Sequence, residues 1–193
     1  VEEEAAGMTA NQFMKSEADF EQKRRVAAAI TQFFEQQLEF DQFKILAEDG
    51  REYVYVHSDQ HLGNYMVNFE DGLLELGIID RNMYLKLERA DVEIIQAMVV
   101  AGEERQFVDL LMERILDLNK VLGPQREFIK GRVKARLIPL ILKQGFSGSV
   151  EQLALLQKIF ETFARRDLDI PLNLQLMIRN AAAYQDLKRE FNL

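Results

Sequence analysis

The sequence predicts a mainly α-helical fold with a small β-hairpin region, an α+β chain. Three observations carry that prediction. Apolar residues recur at three- and four-residue steps over most of the length. Between positions 53 and 79 that period gives way to short aromatic and β-branched runs. Both histidines, His57 and His61, fall in the polar loop that joins two of these runs.

Bulk properties narrow the function classes. A chain of 193 residues is long enough for one well-buried domain. Its net charge of −8 argues against nucleic acid as a partner, because phosphate binding needs clustered excess base. The absence of cysteine removes disulfides and thiolate metal sites and fits a reducing, cytoplasmic setting. No apolar run is long enough to span a bilayer, and no signal peptide is visible. The chain opens at Val1 rather than Met, so residues upstream of it are expected.

Taken in order, residues 1–18 read as a flexible N-terminal segment. Glu2-Glu3-Glu4 and Gly7 give no stable apolar face, although Phe13 and Met14 are able to pack. A single domain follows over 19–193. Val26, Ile30, Phe33, Phe34 and Leu38 predict a helix over 19–40. Residues 41–52 are a connection ending in the turn-prone Glu48-Asp49-Gly50. A strand over 53–57 leads into the loop 57–64. Runs at 65–69 and 73–79 form a hairpin around Glu70-Asp71-Gly72, and a short link follows over 81–86.

The remainder is helical. A helix over 88–101 ends at Gly102, and a second over 103–119 opens on acids, where the helix dipole favours them. Pro124 suits the first turn of a third helix, which is expected to kink or stop near Pro139. Gly145-Phe146-Ser147-Gly148 is a loop. Ser149 and Gln152 make a capping box for a helix to Arg166, and Pro171 opens the last helix.

The loop is where chemistry would be placed. Asp59 and Asn64 stand five residues apart, and Asp80 follows Asn64 by sixteen. Phosphoryl transfer needs one carboxylate to accept the proton of the attacking hydroxyl. It also needs a second carboxylate and an amide oxygen to hold the magnesium that bridges the phosphates. In that scheme Asp59 is the base, Asn64 and Asp80 are the metal ligands, and His57 braces the loop. The bland reading is that Asp and Asn in a turn bond only to nearby backbone. The His57 and His61 pair does not match a zinc helix, because Ser58, Asp59 and Gln60 lie between and the H-E-x-x-H glutamate is missing.

The string HSDQHLGNYMV resembles the H-x-D-x-H-x-G-N catalytic loop of kinase-fold phosphotransferases, and most of all that of the UbiB/ADCK atypical kinases associated with coenzyme Q (ubiquinone) biosynthesis. GIIDRNM stands where that family has L-L-D-F-G-M. The helix before the loop and the stretch from Asp169-Ile170-Pro171 to Phe191 also resemble it, so the likeness covers about 20–193. It implies a protein kinase-like C-lobe that binds ATP and Mg2+ for phosphoryl transfer or ATP hydrolysis. Asp59 and His57 take the catalytic-loop positions. His61, Asn64 and Arg81 contact the nucleotide, and Asn64 with Asp80 holds the metal. Gln60 and Leu62 replace the loop prolines, and Arg81-Asn82 replaces Phe-Gly, which puts a cation beside the metal site.

No Gly-rich loop and no lysine-bearing N-lobe strand is found in residues 1–52, so the chain reads as a C-lobe without its N-lobe. The missing lobe or a protein partner is expected to cover Phe33-Phe34 and residues 137–142. A helix begins within about ten residues of Asp80, leaving no long activation segment to dock a peptide. Two alternatives stay open. One is a small-molecule phosphotransferase of the aminoglycoside or choline kinase type. The other is an inactive pseudokinase that serves as an interaction module. The cations Arg126, Lys130, Arg132, Lys134 and Arg136 suit peripheral membrane contact or, more simply, a helix face that balances acids elsewhere.

Overall fold

The computed structural model describes residues 7–80, 83–99, 104–144 and 149–193, without the side chains of residues 104, 144 and 149–153. Arg81, Asn82, Gly102, the loop 145–148 and the Ser149–Gln152 cap therefore lie outside the description. The architecture is mainly helical, with two small three-stranded antiparallel sheets. No helix is long and apolar enough to cross a membrane among the described residues.

The N-terminal stretch differs from the sequence expectation. Strand β1 (Met8–Thr9) and helix α1 (Ala10–Lys15) form where no stable element was expected. Thr9 and Gln12 make a reciprocal capping box, and Phe13 is buried and stacks on Phe69 at 5.4 Å between ring centroids. One buried aromatic and a good cap are enough for six residues to fold onto a sheet.

Helix α2 (Phe20–Gln37) is capped by Asp19 and Gln22 in the same reciprocal way. A short helix α3 (Phe40–Phe43) and strand β2 (Ile45–Leu46) occupy the expected connection. Strand β3 (Glu52–His57) leads to a 3-10 turn over Leu62–Asn64. Strands β4 (Tyr65–Glu70) and β5 (Leu73–Ile78) form the hairpin, with Tyr65 opposite Ile78 and Glu70 opposite Leu73. Its two-residue turn has positive φ at both Asp71 (50°) and Gly72 (79°), the type I′ geometry that matches strand twist.

The expected link at 81–86 runs into strand β6 (Tyr84–Leu87). It pairs with β3, setting Leu87 against Val54 and Tyr84 against His57. Its alternation is too short to show in the sequence, and β3 supplies the partner that makes it a strand. The order is thus β1-β4-β5 in one sheet and β2-β3-β6 in the other.

Helices α4 (Arg89–Val99), α5 (Glu104–Leu118), α6 (Gly123–Gln144), α7 (Ser149–Ala164) and α8 (Leu172–Glu190) complete the chain. Helix α6 does not stop at Pro139 but runs on to Gln144. Leu137 and Ile141, both fully buried, hold the turns on either side of the proline to the core, which offsets its lost hydrogen bond. At the start of α4 the buried Asp91 receives two bonds from Arg114, at 2.8 and 3.0 Å, and one from the Glu88 N–H. That satisfies a charge that would otherwise be costly to bury.

Three of the five α6 cations pair with neighbouring acids. Arg126 bonds Glu113 and Asp117, Lys130 bonds Glu113 and Glu127, and Lys134 bonds Asp109 at 2.7 Å. Arg132 lies over the Phe128 ring. The expectation that Phe33-Phe34 and 137–142 form an uncovered surface needs correction. Phe34, Leu137 and Ile141 are buried in the chain's own core, since helical spacing turns them inward; Leu142 is exposed.

The buried side chains form two clusters. The larger runs through α4 to α8 and takes in Val54 and Val56 of β3 and Leu87 of β6. The smaller holds α1, β4 and the first half of α2, with Leu187 and Phe191 closing it from the C-terminus. The loop 57–64 runs from β3, in the larger cluster, to β4, in the smaller.

Candidate functional site

The site begins where β3 runs out. Val54 and Val56 are buried in the larger cluster, and His57 ends the strand at 2% exposure. Its backbone N–H donates to Gln37 Oε1 at 2.9 Å. Its Nδ1 accepts from the Asp59 N–H at 3.3 Å, and its Nε2 lies 2.9 Å from the Asp80 carbonyl oxygen. A carbonyl can only accept, so Nε2 carries the proton and Nδ1 is the acceptor. Both nitrogens are then engaged with backbone, one on each side of the site. His57 is a brace between the loop and residue 80, and it keeps no nitrogen for a substrate.

Asp80 has φ of 58°, in the left-handed region, which a non-glycine residue occupies only when its surroundings hold it there. The His57 bond to its carbonyl and the Ile79 N–H bond to the Asn64 carbonyl, at 2.9 Å, are what hold it. The hairpin thus returns its last residues beside the loop that precedes it. The Asp80 side chain is exposed.

Asn64 is buried at 7% exposure, and its Nδ2 donates to the Asp59 carbonyl at 2.8 Å and to Asp59 Oδ2 at 3.3 Å. That fixes the amide's orientation and leaves Oδ1 as the atom able to accept a donor or a cation. His61 is exposed. Its Nδ1 accepts from the Gly63 N–H at 2.9 Å, and its Nε2 lies 3.4 Å from Asp59 Oδ2. A Cβ at Gly63 would come within 2.7 Å of the His61 ring, so a side chain there would push that exposed ring aside. The Asp59 carboxylate, partly exposed, therefore has Asn64 on one side and His61 on the other.

The remaining braces come from residues to which sequence reasoning gave no bracing role. Asn180 of α8 donates to the Ser58 carbonyl at 2.9 Å across 122 residues. The Ser58 N–H and hydroxyl both donate to the Met83 carbonyl, at 2.7 and 3.0 Å. Gln60 donates to the His57 carbonyl and accepts from the Tyr65 hydroxyl. Burial pushes the Tyr65 phenol up, so it stays a donor to Gln60 at any ordinary pH. Asn180 had one available signal: it lies between Met177 and Tyr184 at inward spacing, a polar residue on an apolar face. Gln37 and Met83 had none.

Asp59, His57, His61 and Asn64 are thus brought together, with the backbone of Asp80 tied to them. Arg81 lies outside the described residues. Among the described residues no group of three or more His, Cys, Asp or Glu side chains is placed to hold a metal ion. Magnesium asks for less than that, since it takes few protein ligands and prefers hard oxygens. The Asn64 Oδ1 and the exposed Asp80 carboxylate are oxygens of that kind, on segments joined by the Ile79–Asn64 bond.

Beside the loop lies a cavity of about 290 Å³, walled by Ile30 and Phe34 of α2, by Gln60, His61 and Leu62, and by α8 from Asn180 to Glu190. A larger groove of about 600 Å³ between α7 and α8, lined by Phe160, Leu168 and Leu176 among others, takes none of the loop residues into its lining. Comparison with family models, curated proteins and solved structures finds no match to this chain, so the site's chemistry rests on its own geometry.

Proposed function

We propose that this chain is the magnesium–nucleotide half of a kinase-fold phosphotransferase resembling the UbiB/ADCK proteins, and that it serves phosphoryl transfer or ATP hydrolysis. The observation that supports this reading most is the bracing of Asp59 and Asp80 by His57, with Asn64 bonded to Asp59. Asn64 Nδ2 is spent on Asp59, which leaves Oδ1 as its acceptor atom, and His57 spans the 23 residues from the loop to the Asp80 carbonyl.

In this reading Asp59 accepts the proton of an attacking hydroxyl or water. His61 and Asn64 set the orientation of its carboxylate from either side. Asn64 and Asp80 hold magnesium, which when bound neutralises charge on the phosphates. His57 does no chemistry of its own and keeps the two acidic segments in register. A lobe or partner that clamps the phosphates from the other side completes the cleft. The link to quinone or related lipid metabolism rests on the resemblance alone.

The test is calorimetric titration of the full-length protein with ATP, with and without magnesium. Magnesium-dependent binding is expected, and it should fall by at least about tenfold in Asp80→Asn, a side chain that tolerates the left-handed backbone while losing its charge. Equal binding by the parent and Asp80→Asn, or no nucleotide binding at all, would reject the reading.

A further inference from the structure

We infer that the groove between α7 and α8 is a dimer interface, and that it takes a second copy of this chain in a two-fold arrangement. The inference does not rest on the proposed function, because the groove shares no lining residue with the loop.

The groove, about 600 Å³, runs between two helices joined by the link 165–171. Leu168 and Ile170 of the link are buried. Phe160 and Ala164 on α7, and Leu172 and Leu176 on α8, lie at four-residue steps and remain partly or largely open to solvent, with Leu172 at 69% exposure. One exposed leucine is ordinary. An apolar row along two neighbouring helices is the kind of surface that a partner covers.

Charge selects the partner. Three charged side chains line the groove: Glu161, Asp169 and Arg179. Glu161 is engaged within the chain, accepting from Gln157 at 2.9 Å and lying 3.6 Å from Arg165. Asp169 and Arg179 are exposed, and neither side chain has a hydrogen bond or ion pair to another described residue. They are well separated. Asp169 is in the link, and Arg179 stands about 10 Å along α8 beyond Leu172. A half-turn about an axis near Leu176 exchanges the two ends of the groove. It sets Asp169 of each copy against Arg179 of the other and forms the two ion pairs that a single chain leaves open. An unrelated helix would need the same two charges at the same separation, whereas a second copy carries them already.

The packing follows from the same operation. Leu176 meets its own counterpart near the axis, and Leu172 of one copy reaches the end of the groove beside Arg179 of the other. Two helix pairs facing each other in this way make a four-helix bundle, an arrangement that buries such apolar rows. The amides of the groove already have partners: Gln175 donates to the Ile170 carbonyl at 2.7 Å, and Gln157 donates to Glu161. Covering them therefore leaves fewer donors unsatisfied.

The test is sedimentation equilibrium of the full-length protein at pH 7.5 and low salt, over about 1–100 μM. The parent should show a concentration-dependent dimer. Leu172→Glu, at an exposed position, should be monomeric while circular dichroism and the melting curve stay native. Asp169→Arg and Arg179→Asp each set like charges opposite one another, and each should weaken the dimer by at least about tenfold. An equimolar mixture of those two variants should associate about as tightly as the parent, because opposite charges then face each other at both ends. That rescue separates a two-fold copy from any other occupant of the groove. A parent that stays monomeric, a dimer that survives Leu172→Glu, single charge variants that associate like the parent, or a mixture that stays as weak as its components would each overturn the inference.

Discussion

The two hydrophobic clusters are built differently, and the loop lies between them. The larger draws on seven helices and two strands, and fully buried side chains such as Phe107, Ile95 and Leu111 fill it. The smaller is a thin layer between one short sheet, α1 and one end each of α2 and α8. The same two helices serve both. On α2, Val26, Ala27 and Ile30 face the small cluster, and Phe34 and then Leu38 just beyond the helix face the large one. On α8, Leu174 through Tyr184 serve the large cluster, and Leu187 serves the small one, joined by Phe191 just after the helix. Near the crossover each helix spends one amide on the loop, Gln37 on the His57 N–H and Asn180 on the Ser58 carbonyl. A polar loop can be buried at a seam between two apolar clusters only if its backbone is satisfied there, and these two amides do part of that.

Four measurements would break or sharpen this comparison. The largest effect should come from the larger cluster. Phe107→Ala should cost about 4–5 kcal/mol and lower the denaturation midpoint equally by every probe. Phe13→Ala should cost about 3 kcal/mol. Here hydrogen exchange should locate the damage in β1, α1 and β4, with protection in α5 kept. Protection lost uniformly would mean that the two clusters unfold as one.

At the seam, Asn180→Ala leaves the Ser58 carbonyl without its α8 donor and should cost about 1–2 kcal/mol by denaturant titration. It should also weaken magnesium-dependent nucleotide binding, because Ser58 adjoins both His57 and Asp59. Wild-type binding in this variant would show that α8 supports the fold and not the site.

The smallest effect belongs to the α5–α6 ion-pair row, within the larger cluster's helices. Burial pushes the Glu113 carboxyl up, but hydrogen bonds from Lys130 and Arg126 outweigh it and hold it below its ordinary range. A depressed carboxyl contributes stability above its unfolded value, about 4.3, and loses it as pH falls through the lower folded value. The carboxylate is partly exposed, so the contribution is at most about 1 kcal/mol. Glu113→Gln should therefore be less stable than the parent at pH 6, and the gap should close toward pH 3 in urea titrations.

Much of the helical layout was legible because it rests on period alone. Val92, Ile95 and Met98 of α4, and Leu174, Met177, Ile178 and Ala181 of α8, recur at helical spacing and are buried as that spacing requires. The hairpin was legible from Asp71-Gly72, since few other pairs accept two positive φ angles. Strand β6 and the pair β1–α1 were not, because two to six residues hold too little periodicity and take their structure from β3 and β4. The helix does not stop at Pro139, because tertiary burial of Leu137 and Ile141 carries it past a local helix breaker.

The loop shows the same division. The sequence by itself determined which chemical groups are present and close in the chain: Asp59, His61 and Asn64 on one loop. Only the tertiary structure decided that His57 turns inward to join the loop to Asp80, and that Gln37 and Asn180 hold it from two helices. Local spacing can specify a turn, because a turn's bonds span a few residues. The long-range bonds that orient a site depend on which elements pack together, and no pattern within one segment encodes that.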